Sequence, residues 1–173
     1  MDDITSKADL VAVLSDGRAL WEGLVAEAGV DRLEEAGACG DWSLKDVLGH
    51  LAAFDRFWGS QIRGAVSGVP PSPRDLFDRD TVPPRSETEE EQNAAIHALY
   101  APLPAAVVLA KWRVAADLLR EGVAALAEED LFTAGRFPWA GERPLALAMA
   151  GDTYRHAAAH AEGVRAWLGR TTA

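Results

Sequence analysis

The sequence predicts an all-α fold, a bundle of four helices. Apolar residues recur at i, i+3, i+4 and i+7 almost throughout. Helix start signals stand where these runs begin. No run alternates convincingly like a strand, although the stretch 132–139 leaves room for a short β-pair.

The first helix runs from about Thr5 to Ala28, with Leu10, Val13, Leu14, Gly17, Leu20, Trp21 and Leu24 on one stripe. Thr5 or Ser6 caps its start and Gly29 ends it. Gly17 and Gly23 lower its propensity, so packing has to hold it. The second helix opens at Ser43, with Asp46 three residues on as in a capping box. Its stripe is Leu44, Val47, Leu48, Leu51, Phe54, Trp58 and Ile62, and Gly64 or Gly68 ends it. Trp42 before the cap reads as a packing residue.

From Val69 to Pro84 the prolines exclude a regular helix. Roughly 20 residues there reach ~60 Å when extended, enough for a long crossover instead of a hairpin loop. The third segment starts near Ser86, with Glu87, Glu89, Glu90 and Glu91 favourable at a helix N-terminus. Pro102 and Pro104 split it into a short helix and a longer one. The longer piece carries Val108, Trp112, Ala115, Leu119, Val123 and Leu126, and the acidic Glu128, Glu129 and Asp130 end it. An ordered loop follows from Phe132 to Arg143, anchored by Phe137 and Trp139, and the last helix runs from Pro144 to about Leu168.

The 173 residues carry 17 Lys+Arg against 27 Asp+Glu, a net charge of −10. That balance argues against a nucleic-acid partner and against an anionic membrane surface. Apolar residues make up 49% of the chain, which suits one globular domain over residues 1–173. No apolar run reaches the ~20 residues of a spanning helix. The first residues lack a signal-peptide pattern and Cys39 is the sole cysteine, so a cytoplasmic location is expected.

The last helix carries the chemistry. At 100° per residue, Leu145, Met149, Asp152, His156, His160, Val164 and Trp167 share one face. Two histidines in a core-facing stripe need partners, because an unsatisfied buried polar group costs ~1–3 kcal/mol. Histidines at i and i+4 present two imidazoles to one point, as a divalent metal requires. Ordinary bonding of each ring to a neighbouring side chain or carbonyl is the alternative.

His50, on the flank of the second helix, offers a third imidazole, and three nitrogens leave open positions for water or substrate. Asp152, one turn before His156, would orient a ligand or accept a proton. No Glu follows His156, which speaks against a zinc protease. His97 reads as solvated or lining a groove, and Asp41 beside Cys39 works against an activated thiol.

The segment from Trp42 to Leu51, with His156 and His160, resembles the DinB superfamily. The segments 92–96, 137–145 and 152–156 look like its ClbS/DfsB branch. The resemblance covers nearly the whole chain. It implies an up-down-down-up bundle whose long second connection is the crossover. It also implies a divalent ion (Zn, Ni, Fe or Mn) held by His50, His156 and His160, and chemistry of a hydrolase or thiol-dependent transferase. One member of the branch is implicated in protecting its host by opening a reactive cyclopropane.

Asp152 stands where Asn is expected in that branch, and Ala157 where an aromatic is usual. The mycothiol-dependent isomerase branch tends to use Glu where this chain has His156, which points to a different branch. The expectation is therefore a small-molecule-modifying protein, probed against two others: a metal-free hydrolase or sequestering protein, and a structural bundle. A homodimer is expected, because the family often pairs through bundle faces.

Overall fold

The computed structural model describes residues 4–78 and 88–170. Four long helices dominate: α1 (Lys7–Ala28), α2 (Leu44–Ser67), α5 (Ala105–Ala125) and α8 (Tyr154–Arg170). Shorter helices join them: α3 (Pro73–Phe77), α4 (Glu89–Tyr100), α6 (Glu128–Phe132) and α7 (Leu145–Ala148). No strand occurs among the described residues; a single antiparallel bridge links Cys39 and Trp42. The stretch 132–139 forms no β-pair and runs into a 3₁₀ turn at Pro138–Ala140.

The starts of α1 and α2 follow their sequence signals. Ser6 and Ser43 each accept an N–H from the aspartate three residues on, and each aspartate returns a bond to the cap backbone. Gly29 ends α1, and Gly68 ends α2 in the left-handed conformation at φ 72°. The start of the third segment shifts: Thr88 caps α4, with Glu91 closing the box. Residues 79–87, including Ser86 and Pro83–Pro84, lie outside the described residues.

Three expectations need correction. The proline-rich connection holds a helix after all: Pro73 sits at the first position of α3, where its missing N–H is not needed, behind a Ser72–Asp75 box. The acidic triplet 128–130 does not simply end α5. It opens α6, where three carboxylates meet a positive helix end. The last helix is also not continuous. Met149 O accepts from the N–H of both Asp152 and Thr153 and from Thr153 Oγ1. The ladder slips out of register around these bonds, where Asp152 N–H reaches three residues back and Arg155 N–H reaches five residues back, to Ala150 O.

Burial follows the predicted stripes. Val108, Trp112, Ala115, Leu119 and Val123 of α5 are buried, and α5 packs along α2. One core cluster gathers Trp21, Leu24, Leu44, Leu48, Leu51, Trp112, Val164 and Trp167; a second gathers Leu10, Trp58, Ile62, Leu119, Leu131, Leu145 and Met149. α4 bends 117° from α5 and lies against α2. Gly49 permits that approach, since a Cβ there would stand 2.6 Å from Tyr100 Cβ. No single described helix is long and apolar enough to cross a membrane.

Candidate metal centre

The capped start of α2 places His50 two turns into that helix, where it is 3% exposed. α8 supplies His156 and His160, one turn apart and half-buried. The three predicted histidines meet. His156 Nε2 lies 3.0 Å from His50 Nε2 and 2.9 Å from His160 Nε2. One ligand atom from each ring lies within 4.8 Å of the others.

Burial, together with the neighbouring rings, disfavours the charged imidazolium. It holds His50 down to about 3 and His160 down to about 4. Both rings are therefore neutral near pH 7, the form a metal needs. Phe54 stands edge-on to His50 and His156, with centroids 5.1 Å away in each case.

The outer nitrogens differ. His156 Nδ1 is 3.3 Å from the backbone carbonyl of Asp152. A carbonyl only accepts, so Nδ1 carries the hydrogen, and in the neutral ring Nε2 then offers a lone pair. His160 Nδ1 meets Cys39 Sγ at 3.5 Å. His50 Nδ1 is buried without a hydrogen-bond partner. Asp152 therefore does reach His156, but through its main chain. Its carboxylate is turned away, accepting the indole N–H of Trp58 at 3.0 Å. The break before α8 causes this, because it takes Asp152 out of the helical stripe.

The residues fit a divalent ion. Three Nε2 atoms converge on one point, and hydrogen bonds among the rings serve them poorly: at most one lone pair on His156 Nε2 faces two other rings. His156 Nε2 sits slightly closer to each of the other two than the roughly 3.3 Å expected for tetrahedral ligation at ~2.0–2.1 Å. A shift of a few tenths of an ångström would open the cluster.

A cavity of about 400 Å³ opens beside the cluster, lined also by Cys39, Asp41, Trp42 and Asn93. Trp42 is a site residue as well as a packing one: it meets His50 edge-on at 5.1 Å and stacks on His97 at 5.5 Å. His97 lies behind that indole, with Nε2 3.3 Å from Asp46 Oδ1. Tyr154 is turned elsewhere, toward the carbonyl of Ala146. Sequence spacing gave no reason to bring Cys39, Asp41 and Asn93 to the histidines. They come from a loop and from α4, which carry no shared period with α8.

No curated protein sequence matches the chain. Solved structures do, at the level of the fold. An uncharacterised protein from Escherichia coli UTI89 aligns with a TM-score of 0.76 at 12% identity, covering 96% of this chain and 95% of that one. A structure described as sibling lethal factor precursor DfsB also scores 0.76, at 17% identity and 98% coverage of both chains. The colibactin self-resistance protein ClbS, solved in complex with double-stranded DNA, scores 0.72 at 11% identity, covering 95% of this chain and 96% of that one.

That complex leaves the expectation of no nucleic-acid partner unsupported, since net charge averages over a surface that a ligand meets only locally. The ClbS/DfsB likeness read from the sequence agrees with these neighbours. The matching family model carries the name of the isomerase branch that His156 pointed away from, so His156 does not exclude the chain from that family. With residues 14–167 matched, the chain belongs to the mycothiol maleylpyruvate isomerase N-terminal domain family, within the DinB-like superfamily.

Proposed function

We propose that this protein modifies a small reactive metabolite in the cavity beside His50, His156 and His160, as a metal-dependent hydrolase or transferase. The convergence of three Nε2 atoms from two helices carries the reading. A divalent ion held there supplies Lewis acidity. The remaining work falls to the chain. The Asp152 carbonyl holds His156 in the ligating tautomer, Phe54 and Trp42 shield the cluster from water, and Asp41 and Asn93 offer polar contacts to a ligand.

In this reading one domain spans residues 1–173 as an up-down-down-up bundle, with the α2–α4 connection as crossover, in the cytoplasm. A homodimer belongs to it too: Val107 and Val114, 40% and 63% exposed, lie on one outer face of α5. A second reading, metal-free hydrolysis or sequestration, draws support from the cavity, which is far larger than an ion needs.

The test is the fate of an electrophilic probe bearing a strained ring, incubated with metal-loaded and chelator-treated protein, with and without a small soluble thiol. Mass spectrometry should find a water or thiol adduct, formed faster with metal. Turnover unaffected by the chelator favours metal-free hydrolysis. Intact probe recovered from a tight complex favours sequestration.

A further inference from the structure

His160 is the one histidine of the cluster whose outer nitrogen faces a group that can both donate and accept. Cys39 Sγ lies 3.5 Å from His160 Nδ1. A carbonyl, such as that facing His156, dictates one tautomer; a thiol dictates neither. The thiol is also held in place. Trp42 N–H donates to Cys39 O at 3.1 Å, Ala38 N–H to Trp42 O at 2.9 Å, and Arg170 reaches Gly37 O at 3.1 Å. At Gly163 of α8, an added Cβ would stand 3.3 Å from Ala38 O, so the loop lies directly on the helix.

We infer that Cys39 is a positioning residue that lets His160 change tautomer when a metal ion enters the cluster. Without an ion, lone pairs on His156 Nε2 and His160 Nε2 would face each other at 2.9 Å. His156 Nε2 is left as the acceptor by the Asp152 carbonyl, and since His50 Nε2 at 3.0 Å can also donate to it, the S–H of Cys39 on Nδ1 is what settles the His160 hydrogen on Nε2. Its Nδ1 then accepts S–H from Cys39. With an ion present, His160 Nε2 must offer its lone pair. The ring hydrogen then sits on Nδ1 and is donated to the sulfur, whose S–H rotates away. The ring proton is exchanged through water, and neither residue changes charge. The first state needs no metal; the second rests on the metal reading above.

Nitrogen-15 NMR of the histidine rings tests this in the full chain at pH 8, before and after zinc, for wild type, Cys39→Ser and Cys39→Ala. In wild type, zinc should move the His160 hydrogen from Nε2 to Nδ1. Cys39→Ser should keep the switch, because a hydroxyl also donates and accepts. Cys39→Ala, with a melt confirming that it folds, should weaken zinc binding about 10–100-fold, as loss of an outer partner does. It should also leave the His160 tautomer mixed in the zinc-free protein. Wild-type tautomers and affinity in Cys39→Ala would overturn the inference, as would an Nδ1–H tautomer in zinc-free wild type. A wild type that takes up no zinc overturns the metal reading and the second state together. It is recognised by an Nε2–H signal that zinc leaves unchanged and Cys39→Ala still disturbs.

Discussion

Trp58 donates its indole N–H to the carboxylate of Asp152 at 3.0 Å, joining the middle of α2 to the residue whose carbonyl orients His156. The bond fixes the turn from which α8 departs. Asp152→Asn should preserve it, because an amide oxygen accepts the same N–H, and metal affinity should stay within about threefold of wild type. Asp152→Ala leaves a largely buried indole N–H unpaired and should lose about 1–3 kcal/mol in a denaturant melt.

Stability should depend on pH through the histidine cluster. Unfolded, these rings take protons near the ordinary value of 6.5; folded, His50 does so only near 3 and His160 near 4. Their contribution is complete above about pH 6.5 and is lost as pH falls through 6 and 5 toward the folded values. Between pH 7 and 5 the histidine contribution taken alone should cost the metal-free protein roughly 5–10 °C in Tm. His160→Gln should show a shallower slope, and bound metal a steeper one. Parallel wild-type and His160→Gln curves would mean that the ring is not held neutral by its surroundings.

Asp55 should act in the opposite direction. It lines a small cavity of about 40 Å³ between the long helices with Trp21, Arg18 and Thr153. Burial raises its carboxyl from 3.8 to about 7. The folded state therefore holds a proton that the unfolded chain releases, and stability falls as pH rises from about 4 to 7. Because the side chain is only half-buried, Asp55→Asn should stabilise the protein at pH 8 by about 1–3 kcal/mol, less than the full shift implies. Near pH 4 the two proteins should melt together.

Glycine replacements separate packing from propensity. Gly49→Ala places a methyl 2.6 Å from Tyr100 Cβ and 2.8 Å from Tyr100 Cγ, so α4 must move from α2. A net loss of about 1–2 kcal/mol is expected after the propensity gain. Gly17→Ala and Gly23→Ala meet nothing within 4 Å inside α1 and should each stabilise by up to about 1 kcal/mol. Urea melts of the three variants test the contrast.

The helices were legible because their signals are local. Ser6, Ser43 and Gly68 act on neighbours within a few residues, and the stripe of α5 needs only a period of 3.6. Two of the histidines were legible for the same reason, since 156 and 160 share a helix face; His50 was joined to them by its place on the flank of the second helix and by the DinB resemblance. The break after Met149 was not legible: it is a slip of register in which Arg155 N–H bonds Ala150 O, five residues back, and Pro144 and Leu145 suit either a long or a short helix. Missing that break misdirected the Asp152 carboxylate, which a continuous helix would aim along the histidine stripe. Cys39 and Asn93 stayed hidden because long-range packing of a loop and of α4 brings them to the site.

The central claim is that His50, His156 and His160 form a metal centre, and elemental analysis of protein purified without an affinity tag tests it most directly. Near one equivalent of a divalent transition metal per chain is predicted, falling to background in His156→Ala. A wild type that carries no metal, and takes up none on titration with zinc, nickel or manganese at pH 8, would contradict it.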